Sequence, residues 1–162
     1  MGWLFTYGKI KAELIKELTA PEENETRRRA TIAHCVRGNV LWSVVEISYT
    51  QAQRTKRLIV CNLLAKQKDC GWGYKEMEES MHPYYYSCPL PYLDLAPIAN
   101  ADWRARVQAY HRYRNQKLEI GQRVAIQGSS IPWVIITSLK PLTGQYDGRH
   151  YRVPRRLLGE AL

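Results

Sequence analysis

Hydrophobic positions near the start of the chain follow the period of an α-helix. They recur three or four residues apart, at Ile10, Leu14, Ile15 and Leu18. Apolar residues at this spacing let a helix bury one side, so the pattern predicts a helix over residues 8–18. The acidic stretch at residues 19–25 contains Pro21, which ends this helix and leads into a loop or a new helix start.

Two runs rich in β-branched residues follow at residues 40–47 and 57–64. The polar segment between them is short, so we expect a β-hairpin with Arg54 and Lys56 at the tip of the connection. The arginines at residues 27–29 precede this hairpin. Their neighbouring glutamates favour a solvated, ion-paired surface, and a phosphate clamp is the alternative.

The segment at residues 69–97 combines aromatic residues, glycine and proline. Glycines on both sides of Trp72 predict a tight turn that presents the indole. Residues 75–81 are expected to form a short helix that ends before Pro83. Because proline recurs after that point, we expect an ordered, aromatic loop region with little regular structure.

Helical spacing returns over residues 101–116, where Trp103, Val107 and Tyr110 are expected to share one buried face. Asn100 can cap this helix. The rest of its surface holds arginines, at Arg104, Arg106, Arg112 and Arg114.

After residue 116 the pattern changes to short strands separated by turns. Strands are predicted at residues 122–127, 133–139 and 146–153, and Asp147-Gly148 is a signal for a two-residue hairpin. This pattern is similar to that of a small SH3-like β-barrel. Such barrels bind nucleic acid, proteins or peptides.

These elements together predict an α+β protein with two parts. Residues 1–116 hold the N-terminal helix, the β-hairpin, the aromatic loop region and the connecting helix. Residues 117–162 hold the small SH3-like β-barrel. The residues expected to be largely buried are Trp42, Val44, Ile59, Trp103, Val107, Tyr110, Val124, Ile126, Val134 and Ile136.

Charge is distributed unevenly along the chain, which has a formal net charge of +9. Residues 101–162 carry eleven Lys and Arg against four Asp and Glu, whereas residues 1–100 carry thirteen against eleven. A basic excess confined to one region indicates a polyanionic partner, and charge needed only for solubility is the alternative. Eleven Tyr and five Trp against one Phe also favour a binding surface, since both residues join an apolar body to a polar tip.

Several function classes lack their sequence signals. No apolar run approaches the ~20 residues of a membrane helix, and the N-terminal residues do not resemble a signal peptide. A cytoplasmic location without a membrane partner is therefore expected. The cysteines lack the paired spacing of structural zinc sites, so no cofactor is predicted, although a mixed metal site from Cys70, His82 and Cys88 stays open.

Catalysis is the weakest of the function classes. The chain has neither a phosphate-binding glycine loop nor a G-x-S-x-G nucleophile turn. Glu78 and His82 would share a face if residues 75–81 were helical, which leaves acid–base chemistry or metal binding as an alternative.

Three segments carry a resemblance to a known family: Gly2-Trp3-Leu4-Phe5, Gly71-Trp72-Gly73-Tyr74-Lys75 with Tyr84-Tyr85-Tyr86-Ser87-Cys88-Pro89-Leu90, and Tyr151 to Glu160. Together they resemble an uncharacterised bacterial family found on phages and other mobile elements, classed as a domain of unknown function. The likeness spans the whole chain. It implies an accessory protein of a mobile element that binds nucleic acid or antagonises host defence, and it assigns no catalytic residue.

Nucleic-acid binding through a basic, aromatic-bearing surface is the leading hypothesis. Its phosphate-contacting residues would be Arg104, Arg106, Arg112, Arg114, Arg149, Arg152, Arg155 and Arg156. Its aromatic interaction surface would comprise Trp72, Tyr74, Tyr84, Tyr85 and Tyr86. The alternative is a non-enzymatic protein-interaction module that inhibits a host defence complex, because Tyr, Trp and Arg also form interface hot spots.

Overall fold

The computed structural model describes residues 2–162. The protein mixes helix and sheet, with 20% of residues helical and 43% in strands. The chain divides into two compact units. The first unit runs to Tyr84 and resumes from Cys88 to Trp103, and the second comprises Tyr85–Ser87 and Arg104–Leu162.

The first unit is built on a six-stranded antiparallel sheet that curls into a half-barrel, in the order β1-β6-β5-β4-β3-β2. Its strands are β1 (Leu4–Phe5), β2 (Glu22–Glu23), β3 (Arg27–Arg37), β4 (Val40–Tyr49), β5 (Arg54–Lys66) and β6 (Trp72–Glu78). Its helices are α1 (Lys11–Thr19), a 3₁₀ turn at Glu79–Met81 and α2 (Leu90–Leu93). A third helix, α3 (Ala101–Tyr113), begins in this unit and continues in the second.

The predicted hairpin is confirmed by the pairing of β4 with β5. The register runs from Val40 opposite Leu63 to Tyr49 opposite Arg54. Arg54 and Lys56 were expected at the tip but lie within β5, because the apolar pattern underestimates the length of both strands. The helix predicted over residues 8–18 is also present, as α1.

Strand β3 has no counterpart among the predicted elements. It contains five charged or histidine residues and no long apolar run, so its sequence alone does not indicate a buried strand. Pairing with β4 along its whole length supplies the hydrogen bonds that its composition does not predict. The arginines at residues 27–29 open this strand.

Strand β6 corrects the prediction for residues 69–81. Trp72 begins a strand instead of occupying the tip of a tight turn, and residues 75–78 continue that strand. Only Glu79–Met81 form a single 3₁₀ turn. Pairing with β5 over seven positions overrides the local helical preference of the Glu- and Met-rich sequence.

The two faces of this sheet are covered by different elements. The inner face, defined by Leu41, Ser43, Val45 and Ile47 of β4, receives α1, whose Leu14 packs with Leu41 and Leu64. The outer face carries Trp42, whose ring centre lies 5.8 Å from that of Trp103 at the start of α3. Because both faces are covered, β4 is buried at almost every position, and this explains its continuous apolar run.

A contact between distant strands shows which way the sheet curls. Arg29 of β3 lies opposite Ile47 of β4. Glu76 of β6 lies opposite Asn62 of β5, which lies opposite Leu41 of β4, six residues before Ile47. In a flat sheet these positions would be roughly 14 Å apart across the strands and roughly 20 Å apart along them. Arg29 Nη2 nevertheless donates to Glu76 Oε1 over 3.0 Å, so the inner face is the concave one.

The second unit contains a five-stranded antiparallel sheet in the order β10-β9-β8-β7-β11. Its strands are β7 (Arg123–Ile126), β8 (Trp133–Leu139), β9 (Leu142–Tyr146), β10 (Arg149–Arg152) and β11 (Leu158–Ala161), and a 3₁₀ turn at Arg155–Leu157 precedes the last. Its buried core comprises Leu118, Val124, Val134, Ile136, Leu142, Val153 and Leu158.

The hairpin signal at Asp147-Gly148 is confirmed. Both residues have positive φ, 49° and 72°, as a two-residue turn of the primed type requires. The turn divides the strand predicted at residues 146–153 into the end of β9 and β10. Strand β11 was not predicted, because its Leu158-Gly159-Glu160-Ala161 sequence is too short to show a period.

Helix α3 begins as expected, since Asn100 Oδ1 accepts the backbone N–H of Trp103 at 3.0 Å. It ends at Tyr113, three residues before the predicted end.

Most residues of the expected core are buried, and the exceptions are Tyr110 and Ile126, which are half-buried. Among residues 2–162, none of the helices combines the length and hydrophobicity that crossing a bilayer demands.

Candidate nucleic-acid interface

The eight arginines assigned to phosphate contact all belong to the second unit. Five are exposed: Arg112, Arg149, Arg152, Arg155 and Arg156. Arg106 and Arg114 are half-buried. Arg104 is only 8% exposed, so its guanidinium does not belong to an open surface. On a helix, position 104 is an i, i+3 neighbour of the buried Val107, so the arginine lies at the edge of the buried face.

Arg155 is tied to the end of α3. Its Nη1 donates to the carbonyl oxygens of Arg114 at 3.0 Å and Gln116 at 3.3 Å. Carbonyls just beyond a helix end lack intrahelical partners, and a cation near them is favourable. Arg155 therefore has a structural role as well as a surface position.

Other arginines lie on aromatic rings. The Arg114 guanidinium lies 5.1 Å from the Tyr110 ring centre, and its Nη1 donates to the Tyr110 hydroxyl at 2.6 Å. Arg156 lies 5.5 Å from the ring centre of Tyr85. These contacts hold guanidinium planes in place by cation–π attraction.

The predicted aromatic surface is divided. Trp72 and Tyr74 are half-buried in the first unit, where both pack against the buried cluster that contains Leu14 of α1. Tyr84 is 48% exposed and also belongs to the first unit. Tyr85 and Tyr86 belong to the second unit, and Tyr86 is only 4% exposed. Tyr86 is therefore a core residue of the protein, because burial leaves its ring no free face for a base.

An arginine–aromatic stack in the second unit was missed. The Arg123 guanidinium lies 3.8 Å from the Trp133 ring centre, and the Tyr146 ring meets Trp133 edge-on at 4.9 Å. Arg123 and Trp133 lie on neighbouring strands, since Ala125 is opposite Trp133. Arg123 and Trp133 lie near the starts of the strands predicted at residues 122–127 and 133–139. Their contact could not be predicted, because it depends on the β7–β8 register.

A cleft of about 170 Å³ opens beside Arg152. Its walls come from the β7–β8 connection, β10 and the 3₁₀ turn, with Ser129, Ile131, Tyr151, Arg152, Pro154 and Leu157 among the lining residues. The floor is apolar, formed by Ile126 and Val134. One guanidinium at the edge of an apolar cleft suits a ligand that is partly apolar and partly anionic.

The electrostatic balance of the second unit is strongly positive. Its residues include eleven Lys and Arg but only three carboxylates, Glu119, Asp147 and Glu160. Among residues 2–162, no carboxylate lies within 4.0 Å of Arg112, Arg149 or Arg152. These three exposed guanidinium groups are available to an anionic partner.

The remaining chemical candidates do not assemble into a site. Within residues 2–162, no group of three or more His, Cys, Asp or Glu side chains is arranged to hold a metal ion, so Cys70, His82 and Cys88 do not converge on one. Glu78 ends a strand and His82 has a φ of 52°, so these two residues do not share a helix face. His82 Nδ1 instead lies 3.6 Å from Asp102 Oδ2.

Two groups have perturbed acidity, the buried Cys61 and the half-buried Tyr92. Burial raises the pKa of the Cys61 thiol to about 12. Burial, together with a hydrogen bond to Cys35, raises the pKa of Tyr92 to about 12. Both shifts keep the groups neutral, and a neutral buried thiol is a poor nucleophile.

No protein-family model, no curated protein and no solved structure matches this chain.

Proposed function

We propose that the protein binds nucleic acid through exposed arginines of its second unit and serves as an accessory protein of a mobile element. The observation that carries this proposal is the set of exposed arginines, Arg112, Arg149 and Arg152, without a carboxylate within 4.0 Å among residues 2–162. Unpaired guanidinium groups bind phosphate oxygens and displace condensed counterions. The mobile-element setting rests on the sequence resemblance alone.

The Arg123–Trp133–Tyr146 stack supports contact with unpaired bases. The Arg123 guanidinium lies 3.8 Å from the Trp133 ring centre, so two planar groups are available for stacking with a base. Single-stranded nucleic acid is held by such aromatic and guanidinium planes together with a basic groove. We therefore expect single strands to bind at least as tightly as duplexes.

We further propose that the second unit is an SH3-like barrel. Its four consecutive strands β7 to β10 form a meander, and β11 returns after a 3₁₀ turn to pair with β7. This order is similar to that of an SH3-like barrel, a fold that hosts nucleic-acid, protein and peptide binding. The cleft beside Arg152 is lined by residues of the β7–β8 connection, of β10 and of the 3₁₀ turn.

The experiment measures binding to short single- and double-stranded DNA and RNA between ~50 and 300 mM salt. The triple variant Arg112→Gln, Arg149→Gln, Arg152→Gln should lose about three phosphate contacts and flatten the slope of log K against log salt by about 2 for single strands. A matched control removes three exposed lysines of the first unit: Lys56→Gln, Lys66→Gln and Lys68→Gln. Both variants carry the same net charge, so only the position of the lost charge differs.

The proposal fails if the unmodified protein binds none of the four nucleic acids at ~50 mM salt, where phosphate contacts are strongest. It also fails if the control variant weakens binding as much as the arginine variant. In that case the attraction follows net charge alone.

A second candidate function is docking to a host protein, for example to inhibit a defence complex. The apolar floor of the cleft at Ile126 and Val134 favours it, because phosphate binding does not use an apolar floor. A partner segment with an apolar side chain beside a carboxylate would suit the cleft and Arg152. Binding that persists at ~300 mM salt would favour this candidate, since packed apolar contacts are screened little.

A further inference from the structure

The concave face of the half-barrel in the first unit holds a second cleft, which the proposed function does not use. Its volume is about 120 Å³, equivalent to roughly four water molecules. Ile47, Leu58 and Val60 form its floor, and four charged residues form its rim: Arg27, Arg29, Glu76 and Glu78. The cleft is small, mainly polar at its rim and open to solvent.

Two of the four charged rim residues form an ion pair with each other, and the other two do not. Arg29 and Glu76 bond to each other over 3.0 Å and are each less than a quarter exposed. Arg27 of β3 and Glu78 of β6 line the same cleft but are not paired. Among residues 2–162, no carboxylate lies within 4.0 Å of Arg27 and no cation lies within 4.0 Å of Glu78. The cleft thus presents one free cation and one free anion.

Two buried polar atoms without partners lie on the same face of the sheet, on residues opposite two that line the cleft. Ser43 lies opposite Val60 in the strand register, and Asn62 lies opposite Glu76. Each of these side chains is 2% exposed, and neither Ser43 Oγ nor Asn62 Oδ1 has a hydrogen-bond partner. An unsatisfied buried polar atom is costly, so these two atoms, next to residues that line the cleft, offer hydrogen-bonding capacity to a polar group bound there.

We propose that this cleft binds a small dipolar molecule with one carboxylate and one ammonium group, the chemistry of a free amino acid with a short side chain. The Arg27 guanidinium receives the carboxylate, and the Glu78 carboxylate receives the ammonium group. The volume admits glycine, alanine or serine, and the apolar floor accepts a short side chain. Ser43 and Asn62, opposite the lining residues Val60 and Glu76, offer buried oxygens to a water that enters with the ligand.

The test is titration of isotope-labelled full-length protein with glycine, L-alanine and L-serine, followed by the backbone amide signals of β3 and β6. Saturable shifts below ~10 mM ligand are expected at residues 27–29 and 76–78. Acetate and methylammonium, which each carry one of the two charges, should bind at least about tenfold more weakly than glycine.

Two variants and one matched control locate the site. Arg27→Gln and Glu78→Gln should each weaken amino-acid binding by about tenfold or more. Arg28→Gln removes the same charge one residue away, from an exposed position on the opposite side of β3, and should bind as the unmodified protein does. Dispersed amide spectra of all three variants would show that each remains folded.

Three outcomes would overturn the proposal. In the first, none of the three amino acids gives a saturable shift. In the second, acetate alone binds as tightly as glycine, which would make the cleft a plain anion site. In the third, Arg28→Gln loses binding to the same extent as Arg27→Gln. Failure here would leave nucleic-acid binding untouched, because that proposal rests on residues of the second unit.

Discussion

Gly71 and Gly73 let the N-terminal segment lie against β6 at backbone distance. A Cβ at Gly73 would lie 2.7 Å from Phe5 Cγ and still closer to the Leu4 carbonyl oxygen. A Cβ at Gly71 would lie 2.6 Å from the backbone nitrogen of Lys9. Neither glycine has a positive φ, so their role is close approach and not turn formation. The two glycines thus explain how the strand that begins at Trp72 accommodates the N-terminal segment beside it.

Gly73→Ala should detach β1 from the sheet. The added methyl group meets backbone atoms that cannot move without breaking the pairs Leu4 with Tyr74 and Phe5 with Gly73. We expect a loss of about 2 kcal/mol in denaturant unfolding, with hydrogen-exchange protection lost in β1 and retained in β4. Gly2→Ala is the control, because nothing lies within 4 Å of a Cβ there, and equal losses in both variants would contradict this account.

At the scale of elements, one carboxylate links the end of β6 to the start of α3. Glu79 is 1% exposed, and its Oε2 accepts the backbone N–H groups of Ala99 and Asn100, both at 2.7 Å. These groups immediately precede the helix, where negative charge is favoured by the helix dipole. The glutamate therefore fixes the position of the residues that lead into α3.

Glu79→Ala should reduce the free energy of unfolding by about 3 kcal/mol, because two charge-assisted hydrogen bonds disappear and two N–H groups lose their acceptor. Glu79→Gln keeps an acceptor oxygen without the charge and should lose about half as much. Glu78→Ala serves as the control, since that neighbouring side chain is exposed and its loss should fall within about 0.5 kcal/mol. A similar loss in Glu78→Ala and Glu79→Ala would show that the buried contacts are unimportant.

The whole molecule is expected to lose stability in alkaline solution. The folded state raises the pKa of Cys61 from 9.0 to about 12 and that of Tyr92 from 10.0 to about 12. An unfolded chain releases these protons at lower pH, so the stabilisation is complete below pH 9 and is lost as pH rises towards 12. Native Cys61 should accordingly resist alkylation at neutral pH.

Chemical denaturation at pH values from 8 to 11 checks this prediction. The free energy of unfolding should stay level up to about pH 9 and then decline, with Cys61 contributing at most about 1.4 kcal/mol per pH unit. Tyr92→Phe and Cys61→Ala should each have a shallower decline than the unmodified protein, whatever their stability at pH 8. An unchanged slope in both variants would mean that neither group is responsible.

Patterns in the sequence were sufficient to predict the helices, strands and turn whose hydrophobic face or turn residues are local in sequence. Apolar residues at helical spacing predicted α1 and α3, continuous β-branched runs predicted β4 and β5, and Asp147-Gly148 predicted the turn between β9 and β10. In each of these cases the hydrophobic face or the turn chemistry is local, so neighbours in sequence decide the structure.

The tertiary structure decided the elements and sites whose partners are distant in sequence. β3 and β6 are strands because β4 and β5 pair with them, although the composition of β3 is polar and residues 75–81 have a helical preference. Likewise, Arg104 and Tyr86 carry the residue types of a binding surface but are buried. Arg123 and Trp133 come from different strands, and so do Arg27 and Glu78 of the concave cleft. Only the folded structure brings the members of each pair together. A strand's register and a sheet's curl depend on contacts between elements, and no local pattern encodes them.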